Sequence, residues 1–91
     1  MLGTSLTENS AQALSPDALF ALGMECSIGG DVPADLVSAH KWFNLAAVRG
    51  NADAIRLRRE IADQMSDAEI AAAQRAARAW LSAKADSALA A

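Results

Sequence analysis

Ala39-His40-Lys41-Trp42-Phe43-Asn44-Leu45-Ala46-Ala47-Val48-Arg49-Gly50-Asn51-Ala52 reads as most of a helix, its glycine stop and the first residue of the next helix. At 100° per residue, Leu36, Ala39, Phe43, Ala46, Ala47 and Gly50 fall on one arc, with Trp42 at its edge. The arc is small in the middle and bulky at its ends, so neighbouring helices are expected to approach it closely. The rest of the chain is expected to pack around this helix.

Upstream, Ser15-Pro16-Asp17 supplies a helix start: a serine cap, a proline at the first helical position and an acid facing the positive end of the dipole. That helix should run to about Ile28, with Leu19, Leu22 and Cys26 inward, and end at Gly29-Gly30. Gly23 lies among the inward residues, where a missing side chain admits another helix. A short connection, Asp31-Val32-Pro33-Ala34, and a capping Asp35 then make the first two helices an antiparallel hairpin.

Downstream, Gly50-Asn51 reads as a left-handed stop before a third helix with Ala54, Leu57, Ile61 and Met65 inward. Its outer face pairs Arg56 with Glu60 and Arg59 with Asp63. Ser66-Asp67-Ala68-Glu69 has the form of a capping box and opens a fourth helix, whose face is Ile70, Ala73, Ala77, Trp80 and Leu81. This helix is expected to fray beyond about Ser82. Residues 1–14 lack a sustained period and read as a flexible N-terminal arm, and residues 84–91 as a fraying tail.

Composition agrees with an all-α fold of about four helices: alanine is abundant, tyrosine is absent and only two prolines occur in 91 residues. The net charge of −3 conceals a split, because five acids and no base precede Lys41 while all eight Lys and Arg lie at Lys41 or beyond it. A mildly acidic whole argues against a nucleic-acid binder, and the split suits a partner or second copy arranged head to tail. A single cysteine, no basic-apolar leader and no apolar run of the ~20 residues that span a bilayer point to a reducing cytoplasm.

From Ala18 to Ala54 the chain resembles the Sel1-like repeat, a helix–turn–helix unit of the tetratricopeptide superfamily. The resemblance rests on Leu22-Gly23, Gly29, Val32, Asp35, Ala39, Trp42-Phe43, Ala46-Ala47, Gly50, Ala52 and Ala54, in ungapped spacing. Cys26, Asp31 and Ser38 depart from the family's usual tyrosine, glycine and lysine, and the pattern fades after Ala54. The resemblance implies antiparallel helix–turn–helix pairs in a short right-handed α-solenoid over residues 15–83, with the last helices as a cap. It also implies a protein-interaction or scaffold role, commonly bacterial, without enzymatic activity or cofactor. A chain that stacks its repeats against other copies of itself is the alternative.

No nucleophile, base, metal cluster or phosphate-binding glycine loop converges in the sequence, so no catalytic, cofactor or metal residue is assigned. His40 reads as a partly exposed structural residue, and Cys26 as a small apolar filler. Trp42 and Trp80 read as core packing at the edges of their arcs rather than interface anchors, and the Arg49, Arg56, Arg58 and Arg59 cluster as a solvated face. Two stripes are candidates for binding a protein or peptide. On the second helix Val37, Leu45 and Val48, with Lys41 among them, project opposite the core arc, to be covered by the fourth helix or by a partner; on the first, Phe20, Met24 and Ile28 form a second line beside the core stripe, with the amino-terminal arm as the alternative occupant.

Overall fold

The computed structural model describes residues 15–30 and 33–90, with side chains through residue 83. Among the described residues there are four helices and no strand: α1 (Pro16–Ile28), α2 (Leu36–Val48), α3 (Ala52–Ala62) and α4 (Asp67–Ala90). The arm expected over residues 1–14 and the connecting Asp31-Val32 lie outside the described residues. The backbone of α4 stays helical to Ala90, past Ser82, where fraying was expected.

Local chemistry sets the helix ends. Ser15 Oγ accepts the Ala18 N–H at 3.1 Å and Pro16 follows it, so α1 starts where an N–H is dispensable. Asp35 Oδ1 accepts the Ser38 N–H at 3.0 Å while the Ser38 hydroxyl donates to Oδ2 at 2.8 Å, closing the first turn of α2. These bonds, the backbone one first, hold the Asp35 carboxyl below its ordinary range. Before α4, Ser66 Oγ accepts the Glu69 N–H at 3.1 Å and the Ser66 N–H donates to Glu69 Oε1 at 2.8 Å, a complete capping box.

The α2–α3 corner corrects one detail. The Gly50 N–H donates to the Ala47 carbonyl and the Asn51 N–H to the Ala46 carbonyl, both at 3.0 Å, the two bonds of a Schellman motif. Gly50 alone takes the positive φ, 108°, that the motif requires. Asn51 is at φ −82° and caps the next helix instead, its side chain accepting the Ala54 N–H at 3.0 Å. Stop and start occupy consecutive residues, which is why α3 begins with no linker.

The α1–α2 hairpin is antiparallel and tied at both ends. The Asp35 N–H donates to the Cys26 carbonyl at 2.8 Å, and at the other end Asn51 Nδ2 donates to Asp17 Oδ1 at 3.1 Å. Between these ties Gly23 lies under the Phe43 ring: a Cβ on Gly23 would stand 2.6 Å from two ring atoms. Phe20 tilts against the same ring, with centroids 5.5 Å apart at 51°. The close approach foreseen at Gly23 is made by a side chain, not by a second backbone.

α2 is the hub. It packs against α1, α3 and α4, and among the described residues α3 and α4 touch each other much less than either touches α2. One core cluster joins Leu19 of α1, Ala39, Phe43, Leu45 and Ala46 of α2, Ala54 and Ile61 of α3 and Ala77 of α4. Alanine at four of these eight positions keeps the helices thin where they meet. Leu81, expected on the inner face of α4, is 39% exposed because α4 presents Ala73, Ala77 and Trp80 to the hub instead. Of the two pairs expected on α3, Arg56–Glu60 forms at 3.2 Å; Arg59 and Asp63 form none, since Asp63 has become the C-cap of the helix.

Replacing Gly23 by Leu is expected to destabilise the fold by roughly 1–3 kcal/mol through overpacking against Phe43. For a chain of this size that is a fall in Tm of about 4–8 °C per kcal/mol, read by thermal denaturation. An unchanged Tm would contradict the packing described.

Candidate functional site

The outer edge of α2 is built by helical spacing. Val37, Lys41 and Val48 follow one another at four and seven residues and therefore share one line along the helix. Val37 and Lys41 are half-buried, and Val48 is 68% exposed. Leu45, expected on the same stripe beneath a cover from either the fourth helix or a partner, is 1% exposed and belongs to the core cluster, so it is removed from the candidate binding surface. The physical reason is the path of α4. Trp80 meets Trp42 edge to face, with centroids 6.0 Å apart at 82°, and Arg49 stacks its guanidinium 5.2 Å from the Trp80 ring. Trp42 and Arg49 lie three residues before and four after Leu45, so α4 lies across Leu45 and leaves Val48 outside.

A cationic rim borders this edge. Lys41 Nζ sits 4.0 Å from the centroid of the Trp42 ring, so Lys41, Trp42, Trp80 and Arg49 form a continuous run, an aromatic pair with a cation at each end. Each such cation contact at a partly exposed site is worth ~0.5–1 kcal/mol, and the edge-to-face pair about as much again. Both tryptophans pack against the core as expected, yet both are half-buried, so each also shows a face to solvent. Spacing hinted at this, because residues 42 and 49 stack two turns apart; that Trp80 of α4 reaches both of them was not visible before the fold was known.

The second candidate line separates. Phe20 is engaged by Phe43 and Met24 packs against the core, whereas Ile28, at the last turn of α1, is 71% exposed. The structure thus retains Ile28 and Val48 as large apolar side chains in water, at the carboxyl ends of α1 and α2.

The two residues with latent chemistry do not cooperate. Burial, then the Asp35 carboxylate, pushes the Cys26 thiol up, opposite to the direction that makes a thiolate nucleophile. His40 was expected to be partly exposed, and is instead 4% exposed with no hydrogen bond to Nδ1, so no Cys26–His40 pair exists. It is buried because α3 covers the side of α2 that carries His40 and Asn44: Arg58 Nη1 of α3 donates to Asn44 Oδ1 at 2.8 Å. Arg58 is thereby drawn out of the solvated face expected for the arginines. Among the described residues no group of three or more His, Cys, Asp or Glu is placed to hold a metal ion, and no helix is long and apolar enough to cross a membrane.

Comparison with known protein families, with curated proteins and with solved structures finds no match in any of the three.

Leu45→Lys should lower the free energy of unfolding by roughly 2–5 kcal/mol, since it forces a charge beneath α4. Val48→Lys, one turn on and exposed, should stay within about 0.5 kcal/mol of the parent. Urea denaturation of the two variants measures both, and equal costs would contradict the division of the stripe.

Proposed function

We propose that this chain is a non-catalytic Sel1-like helical module that binds another protein along the outer edge of α2. The observation that carries the proposal is Val48, 68% exposed on the line of Val37 and Lys41 beside a tryptophan–cation array. Binding energy at protein interfaces concentrates in tryptophan and arginine set among small apolar contacts, and this edge holds that combination. Leu22-Gly23, Ala39, Phe43, Ala46, Gly50 and Ala54 sit at close-packing or turn positions, as the Sel1-like resemblance leads one to expect. With that resemblance comes a bacterial, cytoplasmic scaffold as the setting.

A second reading, self-stacking of copies into a longer α-solenoid, is favoured by one observation: all the bases lie at or after Lys41 and the residues before it carry only acids. Opposite charge at the two ends suits a head-to-tail contact between copies, and such a contact weakens in salt.

The test is affinity capture with immobilised wild-type chain, Val48→Glu and the surface control Gln74→Glu, each first shown to keep its Tm. A protein retained by the wild type and the control but lost with Val48→Glu is the expected result. Retention by all three, or by none, contradicts the edge as an interaction surface. Sedimentation across concentration separates the self-stacking reading, for which the mass itself rises with concentration and falls in salt.

A further inference from the structure

His40 occupies a position that buried polar groups rarely hold. It sits at the centre of the hub helix, 4% exposed, and Nδ1 has no hydrogen-bond partner, where nearly all buried polar atoms have one. One turn further along α2, Asn44 receives Arg58 of α3, so the line of α2 that carries His40 is the line that α3 covers. Arg58 is the charged group that bears on His40. Of the carboxylates of α1, Asp17 bonds to Asn51 and Glu25 is exposed. On α3, Glu60 pairs with Arg56, and Asp53 is exposed. On α4, Glu69 is held by its capping box, while Asp67, Arg75 and Arg78 are exposed. On α2 itself, Lys41 lies over Trp42. Among the described residues no acid bears on His40, and the charge that does, Arg58, is of the same sign.

α3 packs on α2 through Ala54, Leu57, Ile61 and the Arg58–Asn44 bond, its outer face is polar, and its contact with α4 is slight. The hairpin and the α2–α4 seam do not depend on it: the first is tied by Gly23, Phe43 and Phe20, the second by Trp42 and Trp80.

We propose that His40 is a proton-operated release for α3: in mild acid the protonated imidazole drives α3 off α2, while the α1–α2 hairpin and α4 stay in place. A buried cation beside the partly buried Arg58 is poorly offset for its desolvation, and the nearest relief is to move Arg58, and α3 with it, into water. The displaced helix then exposes the apolar side chains of Ala54, Leu57 and Ile61, so acid makes a surface that neutral pH hides.

The direction in pH follows from linkage. Burial first, and Arg58 second, push His40 below its ordinary 6.5 in the closed form, whereas an open, hydrated imidazole titrates near 6.5. Stability of the closed seam is therefore full above about 6.5 and falls as the pH drops from there toward the lower closed-state value, by up to about tenfold in the open population per pH unit.

His40 is the only histidine in the chain, so its ring protons give an isolated NMR signal. Residue-resolved hydrogen exchange at about pH 7.5 and about pH 5.5, corrected for intrinsic rates, reads the release directly. The expected result is a ring midpoint below 6.5, a several-fold or greater loss of protection confined to α3 amides, and retained protection at Leu19 and Phe43. His40→Leu should remove the pH dependence; should that variant not fold, Arg58→Met replaces it and should reduce the loss. A ring midpoint at or above 6.5, unchanged α3 protection, a uniform loss over α1, α2 and α3, or the same loss in the folded variant overturns the proposal.

Discussion

The Phe43 ring occupies the space that a side chain on Gly23 would need, 2.6 Å from where a Cβ would stand, and the placement of α2 follows from that contact. With Phe20 closing the other side of the ring, Phe43 has nowhere else to go, and α1 and α2 are held at one separation and one register. That register brings Asp17 to Asn51 at one end and the Cys26 carbonyl to the Asp35 N–H at the other. Ala39 and Ala46 are fully buried in the same core. α3 and α4 then settle on a helix whose position is already determined. Phe43 is among the largest fully buried side chains, and burying one of its kind stabilises by roughly 1.5–3 kcal/mol, a large part of the margin of a small domain.

A hub with three dependants divides its surface sharply. α1 and α4 each meet α2 through an aromatic pair, Phe20–Phe43 and Trp42–Trp80, while α3 meets it through Ala54, Leu57, Ile61 and an arginine–asparagine bond. The α3 seam is also the one proposed to open in acid, on the ground of the buried imidazole whose Nδ1 has no partner. Between α4 and solvent runs the edge of Val37, Lys41 and Val48, and its character comes from what α4 covers as much as from its own residues. The function proposed for that edge and the acid response proposed for α3 concern different faces of one helix and stand independently.

The ends of the helices were legible because capping is local: Ser15, Asp35, Gly50 and the Ser66–Glu69 box act within one turn of themselves. The hairpin was legible for a similar reason, since its short connection and the Asp35 cap are local; Gly23 marked a close approach, but that the Phe43 side chain makes it was not foreseen. What covers Leu45 was left open and His40 was misplaced, because their burial is imposed by α4 and α3, whose paths over α2 no periodicity within α2 records. Asn51 was misread because glycine stop and helix cap are adjacent, and the side chain's acceptor role appears only once Ala54 is in the first turn of α3. Of the candidate site, Val37, Lys41 and Val48 were foreseen as a line; the tryptophan–arginine contact that borders it depends on where residue 80 arrives.

The dependence of the fold on the Gly23–Phe43 contact is tested most directly by a double-mutant cycle combining Gly23→Ala with Phe43→Leu, followed by urea denaturation. If the ring fills the space above Gly23, the added methyl is costly against Phe43 and much less so against the smaller leucine, giving a coupling on the order of 1 kcal/mol or more. Additive costs, within about 0.3–0.5 kcal/mol, would show that the two residues do not meet and would contradict the account.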